Sequence, residues 1–409
     1  MFNFTAWPEM LAWPYLMLQG WLPYRDIAIA HNPLLLLDLV IFFKLFGVGI
    51  IQLKIYTWIL IAINVFLTFF VVKSFWSKKI SIAASLLYLL LCIVYQGNGL
   101  WFDLALTPFA LLLFYALKTK NYLWSGIFFA LGFLTKQTFV YFAIPIVIAT
   151  AQSTKHLAQR SKQLIFGAGI IFLIFAIILY ALGILDDYYH WAINFGIFYL
   201  PNAEGQISLP NLKQFVYALL PFVLSLLSAE YFLMIFAMVG LLGVYPRWEL
   251  FHFQPALPFI AAALSIFIFS KKHLLLKFAV GILISLFLFI GIARSLGNTT
   301  RFFESDVNKT VSVINSLKDK PQSLYVINYW DNIYALTDTK PPKPLIPYIP
   351  WYLSYNNNID LMVNNLKTEV VEIIVIGERQ NNYTKLYDFV DKFYSCNILD
   401  KKVELCQKN

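Results

Sequence analysis

Between residues 51 and 294 the chain alternates apolar runs with short polar breaks. Ten runs stand out, near 51–72, 80–96, 103–117, 122–135, 137–151, 164–185, 214–229, 231–245, 254–270 and 274–294. An upright helix needs roughly 20 apolar residues to cross a bilayer, so the longer runs predict full spans and the shorter adjacent ones leave re-entrant pairs open. Beyond about residue 297 Asn, Asp, Lys, Thr and Pro become frequent. There SLYVIN and VEIIVIG have the compact apolar form of buried strands, while SDVNKTVSVINSLK, NIDLMVNNLK and YTKLYDFVDKFY have helical periodicity. KPPKPLIPYIPWY predicts a proline-rich loop between them, and NILDKKVEL a terminal strand pair. The fold class that follows is an all-α polytopic membrane bundle of about ten spans with a small C-terminal α/β domain. It divides into 1–50, a first loop with juxtamembrane helices; 51–296, the helical bundle; and 297–409, long enough for an independent domain.

Composition agrees with that pattern. Apolar residues make up 60% of the chain and charged ones 13%, with mean hydropathy +0.68, whereas about a quarter charged is usual for soluble domains. The formal charge of +9 does not imply nucleic acid, because the basic residues sit in short clusters between apolar runs rather than on one face. Their placement is a topology signal. One set of alternating loops holds Lys73, Lys78, Lys79, Lys118, Lys120, Lys155, Arg160, Lys162, Lys271, Lys272 and Lys277; the other holds only Lys136, Lys213 and Arg247. By the positive-inside rule the first set is cytoplasmic, which puts both ends of the chain on the extracytoplasmic face of a multi-pass protein, most simply in a bacterial-type plasma membrane.

The first 36 residues, MFNFTAWPEMLAWPYLMLQGWLPYRDIAIAHNPLLL, place Glu9, Arg25, Asp26 and His31 among Trp, Tyr and Pro. Charges beside a bilayer are costly and aromatic rings favour its interface, so this cluster reads as a functional site at the water boundary. No signal peptide precedes it, and an upstream helix outside this sequence is one expectation. The apolar stretch between Leu34 and Gly47 contains Asp38 and Lys44 and is too short for a comfortable span. Counted as one, it would move the Lys73–Lys79 cluster outside, so a helix lying on the outer surface is expected. Glu9 to Gly20 has the same reading, with Pro14 marking a first turn or a kink. Cys396 and Cys406 flank the terminal strand pair, leaving a disulfide and two free thiols both open; Cys92 reads as packing. Sequons at Asn298, Asn308 and Asn382 carry meaning only in a eukaryotic source.

Glu9, then Gly20, then LPYRD and His31-Asn32-Pro33-Leu34 resemble the first extracytoplasmic loop of the multi-pass C-type glycosyltransferases. These use polyprenyl-phosphate sugars and include protein O-mannosyltransferases, lipid A aminoarabinose transferases and bacterial mannosyl- and galacturonosyltransferases. The layout of that superfamily covers nearly the whole chain, the motif about 30 residues. The resemblance implies a sugar transferred from a polyprenyl-phosphate donor to the hydroxyl of a lipid, glycan or protein acceptor, with an acidic loop residue as base. Membrane lipids are then the other partner, and nucleic acid none. Many relatives carry two adjacent acids in this loop, whereas Trp7-Pro8-Glu9 offers one. Either Glu9 alone is the base, or Asp26 contributes, or the activity has changed.

That chemistry needs a carboxylate to take the acceptor proton and cations to stabilise the departing phosphate. In-line attack would invert the anomeric centre. Two unit charges about 4 Å apart attract by roughly 4 kcal/mol at an effective dielectric near 20, so one placed cation matters. Glu9 and Asp26 are the catalytic candidates. Arg25, His31, Lys136, Arg247 and His252 are the candidates for the donor phosphate. Each has a plainer alternative: a helix cap or a partner of Arg25 for Asp26, a snorkelling helix end for Lys136, interface anchors for Arg247 and His252. No cofactor is indicated. A divalent metal at Asp186, Asp187 and His190 is weighed against simple helix-end solvation, and the surrounding loop 186–213 has the aromatics and glycine of a mobile lid. Asp103 reads as a helix cap. Other classes stay open: an inactive or structural assembly protein of this fold, a lipid-linked glycan ligase, or a transporter, which would show internal repeats.

Overall fold

The computed structural model describes residues 4–151, 157–271, 273–296, 305–319, 321–369, 371–380, 383–400 and 403–409. Lys155, Lys272, Asn298 and Asn382 lie outside them. Each of the ten apolar runs is helical. The helices are α3 (Ile50–Phe75), α4 (Lys78–Val94), α5 (Phe102–Lys118), α6 (Tyr122–Thr135), α7 (Ala143–Ala151) after a 3-10 turn at Gln137–Phe142, and α8 (Leu157–Ala181). They continue as α10 (Leu212–Ser225), α11 (Tyr231–Leu242), α12 (Leu257–Phe269) and α13 (Leu274–Leu296). Among the described residues three of them, α3, α8 and α13, are long and apolar enough to cross a membrane. The others are shorter or partly buried among neighbours; α12, for example, is buried along most of its length.

Local chemistry sets the ends. The Ser77 side chain accepts from the Ile80 N–H before α4, Asn121 does the same for Trp124 before α6, and Asn211 with Gln214 forms a reciprocal capping box before α10. Lys118 closes α5 with its ammonium over Phe75, Trp76 and Phe232, a cation seated on aromatic faces at a helix end. Packing is tightest between α6 and α8. A Cβ added at Gly126 would collide with the Leu164 carbonyl, and one added at Gly167 with the Leu123 carbonyl. Two glycines thus bring the two backbones together, as small residues do in membrane helices.

Ahead of the bundle lie two expected helices, α1 (Glu9–Leu18) and α2 (Leu34–Phe46). Pro14 falls inside α1 rather than in its first turn. There it lacks the N–H that would meet the Met10 carbonyl. A two-residue strand β1 (Thr5–Ala6) pairs in parallel with β2 (Gly99–Leu100), fixing the entry to α1 against the start of α5. The loop after α8 is helical, with α9 (Leu185–Tyr188) followed by a π-helix over Tyr189–Tyr199.

The C-terminal region carries the expected strands and helices together with two short helices that the periodicity does not place, one beyond the first strand and one inside the proline-rich segment. They are α14 (Ser305–Asn315), β3 (Leu324–Ile327), α15 (Asn332–Thr337), α16 (Pro350–Ser354), α17 (Asn358–Thr368), β4 (Ile373–Ile376), α18 (Thr384–Phe393), β5 (Tyr394–Asp400) and β6 (Val403–Lys408). The sheet has the order β3-β4-β6-β5, its first pair parallel and the others antiparallel. Both β3 and β4 are buried throughout, which explains their unbroken apolar sequences. Cys396 and Cys406 form a disulfide across the terminal hairpin, and Cys92 is a buried free thiol.

This region is fastened to the first loop. Ile27 and Leu345 form a parallel bridge, in which the Leu345 N–H donates to the Asp26 carbonyl (2.8 Å) and the Ala28 N–H to the Leu345 carbonyl (2.9 Å). The Tyr15 hydroxyl donates to Asp338 (3.0 Å) and the Ala30 N–H to the Tyr352 hydroxyl (3.0 Å). The proline-rich segment is therefore a structural wall laid along residues 21–30, not a free connection.

Candidate active site

Where first loop, bundle and C-terminal region meet, a cavity of about 350 Å³ opens. From the first loop it is lined by Trp7, Glu9 and His31, from the bundle by Trp101, Lys136, Arg247 and His252, and from the C-terminal region by Trp330, Asp331 and Tyr352. The bundle residues come from the end of α6, the start of α5 and the loop between α11 and α12, which are helix ends of the lysine-poor set. Glu9, His31, Lys136, Arg247 and His252 are thus brought together, though up to 243 positions separate them, counting from Glu9 to His252.

Glu9 is the first residue of α1, where unpaired backbone N–H groups and the helix dipole favour a carboxylate. It is nevertheless buried, and its Oε2 has no hydrogen-bond partner among the described residues. Burial outweighs the support of its own backbone N–H and pushes the carboxyl up to about 7. A group of this kind is half ionised near neutral pH, the condition that suits a general base. Trp7, packed on Trp101 and edge-on to Phe251, holds the preceding turn.

Lys136 does not snorkel. It is 5% exposed, and its ammonium donates to Asp103 Oδ2 at 2.6 Å. His252 Nδ1 lies 2.8 Å from the same oxygen and 3.3 Å from the lysine nitrogen. Asp103, 1% exposed and near the start of α5, is therefore the anchor of a buried lysine and a buried histidine. With Nδ1 engaged, the ring orientation of His252 is set and Nε2 is the nitrogen left for a ligand. Burial lowers His252 below its ordinary value. Burial, with Lys136 nearby, also lowers His31 to about 3, so both imidazoles are neutral at physiological pH. His31 rests against Trp101 and Phe102. Arg247 pairs with Glu249 at 2.5 Å and lies 5.3 Å over the Trp351 ring.

Arg25 and Asp26 point elsewhere. Arg25 binds Asp187 (3.0 Å) and the Gly183 carbonyl, and Asp26 accepts from Lys343 (2.9 Å) and from the Leu22 N–H (2.9 Å). Asp187 is engaged in that pair, while His190 lies against Trp191 and Tyr355. The aromatics of the π-helix, Trp191, Phe195 and Tyr199, pack on Tyr352 and Tyr355. A Cβ at Gly196 would strike the Ala30 carbonyl, so glycine is what lets this helix close on the first loop beside the cavity.

Residues 30–180 match the family described as dolichyl-phosphate-mannose-protein mannosyltransferase. Over 99% of its length the chain superposes on ArnT from Cupriavidus metallidurans bound to undecaprenyl phosphate, covering 94% of that chain with a TM-score of 0.59 at 10% identity. It also superposes on the oligosaccharyltransferase of Archaeoglobus fulgidus in the apo form, with a TM-score of 0.58, 13% identity, and coverage of 95% of this chain and 68% of that one. A second structure of that archaeal enzyme, AglB in complex with an inhibitory peptide and a dolichol-phosphate, gives 0.51 at 11% identity, with the same coverage. No curated protein sequence matches the chain.

The chain is similar to the C-type glycosyltransferases.

The segment similar to the mannosyltransferases contains His31, Asp103 and Lys136, while Glu9, Arg247, His252 and Asp331 lie outside it. Two residues of this cavity escaped the sequence reading. Asp103 looked like a helix cap, although an acid inside an apolar helix start opposite a lone lysine is a signal of pairing. Asp331 stands between Trp330 and Asn332 shortly after a buried strand, and only its lone charge among aromatics marked it.

Proposed function

We propose that this protein is a membrane glycosyltransferase that moves a sugar from a polyprenyl-phosphate donor to an acceptor hydroxyl, with Glu9 as general base. The carrying observation is a single cavity lined both by Glu9, whose Oε2 lacks a hydrogen-bond partner among the described residues, and by Lys136 and His252, the two groups anchored on Asp103. The ArnT structure similar in fold is one bound to undecaprenyl phosphate, and an AglB structure holds a dolichol-phosphate, which supports a lipid-phosphate donor here.

In this reading the acceptor oxygen attacks the anomeric carbon as its proton passes to Glu9. The bond between that carbon and the phosphate oxygen breaks, and its electron pair stays on phosphate. Lys136 and Arg247 meet the charge that grows there, while His252, its Nδ1 turned to Asp103, holds the Asp103-Lys136 pair in place. Both cations are already neutralised by carboxylates, Asp103 and Glu249, so the site holds them in place without a large standing charge. His31 lines the same wall as a neutral donor. Arg25 and Asp26 serve by fastening the first loop to Asp187 and Lys343. The lysine distribution supports an extracytoplasmic cavity and C-terminal region, with 1–50, 51–296 and 297–409 as first loop, bundle and outer domain.

The test is transfer of labelled sugar from a panel of polyprenyl-phosphate monosaccharides in membranes containing the full chain, wild type against Glu9→Gln. Loss of transfer by about 100-fold or more at equal expression is the expected result. Transfer unaffected by Glu9→Gln would rule out its role as base, and no transfer from any donor would rule out the enzyme.

A further inference from the structure

The Trp7-Pro8-Glu9 stretch offers one acid, yet two more line the folded cavity, Glu249, paired with Arg247, and Asp331. Asp331, four positions past the end of β3, directly precedes α15, and α15 packs on α1, whose first residue is Glu9. Tyr15 of α1 ties the two helices together through Asp338 and the Thr339 carbonyl. Asp331 is 6% exposed and Glu9 7%, and both line the same cavity. The Asp331 carboxyl is coupled through its charge to Glu9 of α1, Tyr325 of β3, Tyr334 of α15 and Tyr352 of α16. Glu9 is coupled in the same way to Asp331 and Tyr352. The two cavity cations are held elsewhere, Lys136 by Asp103 and Arg247 by Glu249.

From this geometry we propose that Glu9 and Asp331 form one carboxyl pair that works with a single proton, Glu9 ionised as the base and Asp331 protonated beside it. The inference rests on the reading of Glu9 given above and extends it, making Asp331 a positioning residue that acts through Glu9. Two buried carboxylates without a cation between them do not both ionise readily. Burial and then the Glu9 charge hold Asp331 well above the usual carboxylate range, whereas Glu9 stands at the first position of α1, where the helix start favours its charge. Keeping Asp331 neutral limits the site to one negative charge when an anionic donor arrives. As pH rises and Asp331 loses its proton, the second charge repels the donor phosphate, so the donor KM climbs while the base remains competent.

Two measurements on the full-length protein decide this. In the infrared spectrum at about pH 8, wild type and Glu9→Gln should show the carbonyl band of a protonated carboxyl that Asp331→Asn lacks. A spectrum in which Asp331→Asn removes no such band overturns the pair, whether or not transfer has been detected. In the transfer assay, the wild-type kcat/KM should rise through about pH 7 and fall on an alkaline limb carried by the donor KM. Asp331→Asn, neutral at every pH, should keep kcat/KM near the wild-type value at neutral pH and abolish that limb. An alkaline limb unchanged in Asp331→Asn overturns the proposal while leaving Glu9 as base. Retention of transfer by Glu9→Gln strikes the earlier reading instead.

Discussion

Glu9 combines two opposed environments, a helix start that favours its charge and a dry wall that disfavours it, and burial wins. Below about pH 7 the carboxyl is protonated and cannot take a proton, so transfer should rise with a single ionisation near neutrality in kcat/KM. An acidic limb near pH 4.5, as for an exposed glutamate, would contradict that environment. The Asp103 group gives a sharper test. Asp103→Asn leaves a buried lysine without its counter-charge and should cost about 3–5 kcal/mol of stability, read as a lowered melting temperature in detergent. Combining it with Lys136→Met should restore most of the stability but not the transfer, because the pair is replaceable and the cation is not. At this scale the sequence was half legible. Lone charges in apolar surroundings, such as Glu9, Lys136 and His252, announce themselves. Their organiser Asp103 does not, since its partners lie 33 and 149 positions away and a cap explains it locally.

Among the elements, the ten apolar runs were readable because burial and helical periodicity speak through neighbouring residues. The contact between α6 and α8 was not, as nothing in a single glycine says which backbone it will meet. Gly126→Ala should destabilise the protein by about 1–3 kcal/mol, since its methyl group meets the Leu164 carbonyl. Gly169→Ala, on the same α8 but with nothing within 4 Å of the added carbon, should be neutral or mildly stabilising. Equal melting temperatures for the two variants would show that the helices do not approach as described. The proline-rich segment was legible as irregular backbone only. Its function as a wall depends on pairing with Ile27 and Tyr352's bond to Ala30, contacts more than 300 residues apart in sequence.

For the whole molecule, the site is shared between the two ends of the chain. Replacing residues 297–409 by an unrelated soluble domain removes Asp331, Trp351 and Tyr352 from the cavity, and should abolish transfer even where the bundle inserts and expresses normally. Full transfer by that chimera would show that the C-terminal region only decorates the enzyme. A mostly helical chain with a small C-terminal sheet emerged from composition and periodicity, but the closure of one end on the other could not, because it is written in the bridge between Ile27 and Leu345 and in the reach of Tyr15 to Asp338.

That bridge also sets an order of events during synthesis. Glu9 leaves the ribosome more than 300 residues before the acid and tyrosine, Asp331 and Tyr352, that complete its surroundings. A nascent or prematurely terminated chain therefore carries the base in an open, wet setting, where its carboxyl ionises freely but no walled chamber aligns sugar and acceptor. On the function proposed above, the donor is spared wasteful consumption until the C-terminal region has been made.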